Sequence, residues 1–205
     1  MRVSHFVYSF SPSEVFDHFK SLTSDDPIFS ENQFLAEAQA IVENASPTLL
    51  IILEYLRFEK AWFDTKDETI THTYQWYLII LASHLRPSNS LTYRYAEGYS
   101  IFMEYLQTHW SANDIELLFS GRPLSSLIYQ YEIPVPDIEA SVGLNQYGGW
   151  LSINDLIYLM PLLESVKGEL AVLENPLLSE IYDDAQTMLH IAYSKGEALF
   201  MFLHI

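Results

Sequence analysis

Glu59 is the residue whose position most resembles a site of chemistry. On a helix predicted over Pro47–Phe63, Glu54, Arg57, Lys60 and Asp64 fall on one polar stripe at about 100° per residue. Glu59 leaves that stripe and projects among Ile52, Tyr55, Leu56, Trp62 and Phe63. A carboxylate placed there loses hydration and must find a cation or hydrogen-bond donors, or stay protonated. Two readings stand: a perturbed acid in a pocket, with a histidine such as His84 as its acid–base partner, or a structural ion pair with Arg86 or Arg94 or a hydrogen bond to a tyrosine.

His84 shares a helix side with Tyr77 and Leu81, His72 a face with Trp76 and Ile79, and His109 borders an apolar face made by Leu91, Tyr95, Phe102 and Leu106. Such histidines fit core or boundary positions as well as they fit bases or ligands. Asp183, Gln186 and His190 group on one face of the helix predicted after Asn175-Pro176, with Glu180 and Thr187 nearby. They read either as a carboxylate–imidazole pair or as a solvated face, since Leu178, Ile181, Ala185, Met188, Leu189 and Ala192 occupy the opposite side. Tyr147-Gly148-Gly149-Trp150 reads as a binding lip, glycine supplying hinge angles and the aromatics anchor area, or as a chain tucking Trp150 into the core.

Standard signatures are absent. No glycine precedes a lysine, so there is no P-loop, and no G-x-G-x-x-G, G-x-S-x-G or H-E-x-x-H occurs. No EF-hand spacing supports a divalent cation among the acids. The chain has no cysteine, which removes disulfides, thiolate metal sites and Cys nucleophiles. The sequence therefore assigns no catalytic residue, no metal and no cofactor, and leans away from an enzyme.

Ten basic residues against 27 acidic ones give a net charge of −17, which disfavours nucleic acid and anionic membranes as partners. From Pro123 onward the acids face only Lys167 and Lys195. That surface steers cationic partners, or simply keeps an apolar chain dispersed. The N-terminus lacks the pattern of a signal peptide. The longest uncharged helical stretch, Thr69–Leu85, carries three Thr, two His and a Gln and falls short of the ~20 apolar residues of a bilayer span. The expectation is a cytoplasmic chain.

The elements that position these residues are mostly helices. Ser11-Pro12-Ser13-Glu14 is a capping-box start for a helix over about Pro12–Leu22. Further helices are predicted from Glu31 to Asn44, over Leu91–Trp110, Ala112–Phe119 and Leu124–Tyr131, after Ser152 and Asp155, and from Pro176 to Ser194. Arg86–Ser90 breaks the chain, Glu132–Leu151 reads as a long loop, and Pro161 kinks or divides the helix it enters. Gly196 fits the left-handed position that ends a helix. The apolar run Ala198–Ile205 then suits a buried strand that pairs with Val3–Phe10. The expectation is an α+β fold, predominantly α-helical with about eight helices and a small sheet of the two terminal strands; the alternative is all-α. With 205 residues and 49% hydrophobic residues, a single domain over 1–205 is expected.

Four fragments resemble the YfbM-like family of uncharacterised bacterial proteins: the strand running into Ser11–Glu14, Phe58-Glu59-Lys60-Ala61-Trp62, Pro123–Ile128, and Ala192–Leu199. Asp64–Thr108 has no counterpart there, and Glu59 stands where Asp is usual. The resemblance implies an α+β fold whose small sheet joins both termini; it brings no activity and no site residues. The function expected from the residues is a non-enzymatic acidic binding protein, an immunity-type inhibitor of a basic protein being its concrete form. The alternative is an enzyme using Glu59 and a histidine.

Overall fold

The computed structural model describes residues 3–22, 31–55, 79–87, 91–93, 96–131 and 148–204. The chain is α+β and mostly helical, with a small sheet built on the two terminal strands. β1 (Val3–Phe10) and β6 (Ala198–His204) run antiparallel in unbroken register from Ser4↔His204 to Phe10↔Ala198. β2 (Arg86–Pro87) and β3 (Leu91–Tyr93) pair with β1, whereas β5 (Gly149–Leu151) pairs with β6 and carries β4 (Arg122–Pro123) outside it. The sheet order is β2-β1-β6-β5-β4, with β3 also on β1.

By compactness the chain forms two units. The first comprises residues 1–10, 86–122 and 148–205, and the second residues 11–85 and 123–147. In the first, α4 (Ala96–Gln107), α5 (Ala112–Ser120), α7 (Ile153–Val172) and α8 (Pro176–Lys195) share a core with the sheet. Alternation along the strands selects the face: Val7, Leu151, Leu199 and Met201 join Leu156, Leu163, Met188 and Leu189 in that core. Phe10, Trp150 and Phe200, on the alternate face of their strands, are also fully buried. The second unit holds α1 (Pro12–Leu22), α2 (Glu31–Glu43), α3 (Pro47–Tyr55), the helical residues 79–83 and α6 (Leu124–Gln130).

Local signals explain the ends of the long helices. Ser152 Oγ accepts from the Asp155 amide (3.2 Å) while Asp155 Oδ2 accepts from the Ser152 amide (2.9 Å), a reciprocal capping box that opens α7. Asn175 caps α8 with Pro176 in its first turn, and Gly196 closes it at φ 66°. α7 continues through Pro161 rather than dividing there. Leu156, Leu159, Leu163, Val166 and Leu170 are buried on both sides of that residue. At roughly 1.5–3 kcal/mol per buried side chain, this row outweighs the ~3 kcal/mol an interior proline costs.

Two expected boundaries are corrected, the first being Gly149–Leu151, read as the end of a long loop and found as β5 on β6. Leu91–Trp110 is not a single helix: Leu91–Tyr93 is β3, registered on β1 as Val3↔Tyr93, Ser4↔Thr92 and His5↔Leu91, and α4 begins at Ala96. A three-residue run containing a β-branched and an aromatic residue suits either state, and the open hydrogen bonds along β1 decide it.

Candidate functional site

The first unit carries an acidic face on α7 and α8. Burial of Leu178, Ile181, Ala185, Leu189 and Ala192 turns the other side of α8 outward, leaving Glu180, Asp183, Thr187 and His190 exposed. From α7, Glu164 Oε2 accepts a hydrogen bond from Gln186 Nε2 (2.9 Å) and a longer one from the Tyr182 hydroxyl (3.5 Å). Lys167 Nζ stands 3.5 Å from Glu164 Oε1.

The charges on this face oppose one another. Burial, together with the neighbouring Glu180 and Asp183 carboxylates, holds Asp184 above the usual carboxylate range. The Tyr182 hydroxyl is pushed up to about 12 by burial, then by the charges of Glu164 and Asp183 and its hydrogen bond to Glu164. Deprotonation is disfavoured in both cases first by burial and then by the negative charge nearby. Asp183 and His190 both belong to the face, yet seven residues of helix separate them by about 10.5 Å of rise, too far for one carboxylate–imidazole hydrogen bond.

A groove of about 560 Å³ lies where α4 ends beside the last turns of α7, lined by Tyr105, Thr108, His109, Glu169, Val172 and Leu173. His109 Nε2 is 3.2 Å from Glu169 Oε2, and the Tyr105 ring lies 4.9 Å from the imidazole. The Tyr105 hydroxyl donates to the Val166 carbonyl (3.2 Å), and burial followed by the Glu169 charge raises its pKa. An acid–imidazole pair is present here, but no side chain positioned as a nucleophile lines the groove. A second cavity of about 460 Å³ is lined by Tyr99, Met103, Trp110, Glu116 and Phe119.

The candidates from the sequence fall in different places. Glu59 and Tyr147 lie outside the described residues. Trp150 sits in β5, fully buried, so the core alternative holds for it. Its neighbour Gly149 is required by close approach rather than by hinge freedom, because a Cβ there would stand 1.8 Å from the Ser120 carbonyl oxygen. Arg86, weighed as a partner for Glu59, donates from Nη1 to Glu197 Oε1 (2.6 Å).

His84 belongs to the second unit. Its Nε2 lies 2.8 Å from His18 Nδ1, and His18 Nε2 lies 3.3 Å from Glu37 Oε1. α1 and α2 thus converge with the end of the helical residues 79–83 on a carboxylate–imidazole–imidazole row. Sequence reasoning missed His18 and Glu37, and it missed the Arg122–Asp155 pair. Arg122 Nε and Nη2 donate to Asp155 Oδ2 and Oδ1 at 2.8 and 2.7 Å. Burial would raise the Asp155 carboxyl, but hydrogen bonds from Arg122 and Ser152 overcome it and hold the group below the usual range.

Among the described residues, no group of three or more His, Asp or Glu side chains is arranged to hold a metal ion, and no helix is long and apolar enough to cross a membrane. No family model, no curated protein and no solved structure matches this chain.

Proposed function

We propose that this chain is a non-enzymatic acidic binding protein whose α7–α8 face engages a basic protein, in the manner of an immunity-type inhibitor. The observation that carries this reading is the mutual repulsion on that face. Burial comes first in raising both Asp184 and Tyr182; Glu180 and Asp183 add to the first, Glu164 and Asp183 to the second. A cationic partner replaces that repulsion with attraction, so charge crowded there favours the complex over the free chain. The net charge of −17 adds long-range steering toward such a partner. Asp183 and His190 stand on the exposed side as contact residues.

Of the acid–base alternative, Glu59 lies outside the described residues, and His84 Nε2 faces His18 Nδ1 at 2.8 Å. The resemblance to the YfbM-like family belongs to the same proposal and adds no activity to it.

The test is binding to a panel of immobilised basic proteins across a salt gradient. Raising ionic strength from 0.01 to 0.15 M shortens the screening length from about 30 to 8 Å, so association should slow steeply. The triple variant Glu180→Gln/Asp183→Asn/Asp184→Asn should lose most of that salt dependence. The control Asp17→Asn/Glu43→Gln/Glu116→Gln removes the same charge from other exposed positions and should keep it. Equal losses in the two variants would reduce the effect to net charge, and salt-independent or absent binding would remove the proposal.

A further inference from the structure

We propose that His18 and His84 are the protein ligands of a site for a late first-row divalent cation of the Zn²⁺, Ni²⁺ or Cu²⁺ class, with Glu37 as the carboxylate behind it. The two imidazole nitrogens, His18 Nδ1 and His84 Nε2, face each other at 2.8 Å across 66 residues of chain, with ring centroids 5.0 Å apart. Each ring is delivered by a different element, His18 from α1 and His84 from the turn after residues 79–83.

The tautomer follows from Glu37. Its Oε1 lies 3.3 Å from His18 Nε2 and can only accept, so that nitrogen carries the proton and Nδ1 presents its lone pair toward His84. This is the outer-sphere arrangement of metal-bound histidines, in which a carboxylate fixes the proton on the distal nitrogen and raises the basicity of the ligating one. Without a cation His84 Nε2 therefore donates to that lone pair, and coordination breaks this hydrogen bond and leaves the His84 proton on Nδ1. Zn–N bonds of about 2.0–2.1 Å at a tetrahedral angle place two ligand nitrogens about 3.3 Å apart. The present pair must open by roughly 0.5 Å, a displacement small side-chain rotations supply.

Nitrogen ligands select the class of cation. Ca²⁺ and Mg²⁺ prefer all-oxygen sites, while imidazole suits Zn²⁺, Ni²⁺ and Cu²⁺. Two protein ligands leave the remaining positions to water, and the His18 side chain keeps 20% of its surface open to admit it. The site clips α1 to the chain after residue 83, so the bound cation stabilises the fold as well as occupying the pair.

The experiment is calorimetric titration of the chelator-treated full chain with ZnCl₂ and NiCl₂, together with thermal melts. One equivalent should bind with a rise in Tm. His18→Gln and His84→Gln should each weaken binding by more than about tenfold, and Glu37→Gln by about tenfold through the outer sphere. His109→Gln alters an imidazole already paired with Glu169 in the other unit and should change nothing. Should a histidine variant fail to fold, the visible spectrum of Co²⁺ added to the unmodified chain reads nitrogen ligation directly. No binding by the unmodified chain, a Co²⁺ spectrum unchanged from that in water, or binding that survives both His18→Gln and His84→Gln would each overturn the site and leave a plain hydrogen-bonded pair.

Discussion

Arg122 and Asp155 show how much one residue pair can hold. Asp155 is 3% exposed, caps α7 and takes two charge-assisted hydrogen bonds from Arg122. Arg122→Ala leaves that carboxylate buried without its cation. With half of the Arg122 side chain in water, the loss should be about 1–3 kcal/mol in urea unfolding, below the 3–5 kcal/mol of a fully buried pair. The folded carboxyl lies below its ordinary pKa, so its stabilisation is present above the unfolded value and is lost as pH falls through the folded one. Arg122→Ala should therefore flatten the acid limb of the stability curve, and an unchanged limb would show that Ser152 alone holds the carboxylate. Gly149→Ala is the steric counterpart. A methyl 1.8 Å from a backbone carbonyl has no side chain to push aside, so the variant should lose upward of about 3 kcal/mol or fail to fold. A variant as stable as the parent would mean that β5 can move away from the end of α5 and from β4. Neither dependence has a sequence signal. Ser152 and Asp155 stand at capping-box spacing, which made half of the Asp155 role legible, but its partner lies 33 residues away. His18 and Glu37 carry no pattern at all, since only the packing of α1 and α2 brings them to His84.

Elements were legible wherever the information was local. Asn175-Pro176 and Gly196 bound α8, Ser11-Pro12 opens α1, and the apolar run after Gly196 is the strand that meets β1. Signals three or four residues apart survive folding because a helix turn keeps those residues neighbours. Leu91–Tyr93 was not legible, since a short apolar segment takes its state from whichever edge offers hydrogen bonds. The same scale frames the acidic helix α8. Asp184 has a folded pKa raised above its unfolded value, so its ionised form destabilises the fold above the folded pKa, and that penalty is relieved as pH falls through it. Asp184→Asn should raise stability at neutral pH by up to about 0.5 kcal/mol, discounted for a half-buried group near solvent. The gain should shrink as pH falls through the folded pKa of Asp184 and vanish once the carboxyl is protonated in both states. A gain of equal size at neutral and acidic pH would point to packing instead of charge.

Across the whole molecule the same imbalance sets how stability responds to salt. Twenty-seven acids against ten bases leave most carboxylates without a basic counterpart anywhere in the chain. Among the described residues, the Arg86–Glu197 and Arg122–Asp155 pairs bury their carboxylates, whereas Lys167–Glu164 leaves its carboxylate exposed. Screening weakens exposed interactions far more than buried ones. Added salt therefore removes repulsion among the surface carboxylates while leaving the buried pairs nearly intact, and the folded state, which confines the charge, gains more than the expanded chain. Between 0.01 and 0.15 M NaCl the midpoint of urea unfolding should rise with no change in slope. Na₂SO₄ at matched ionic strength should exceed it only by the extra exclusion that sulfate brings. A midpoint that falls with NaCl would show that attractive surface pairs dominate, and a chain stabilised by its own pairing in that way would have no excess charge to offer a basic partner.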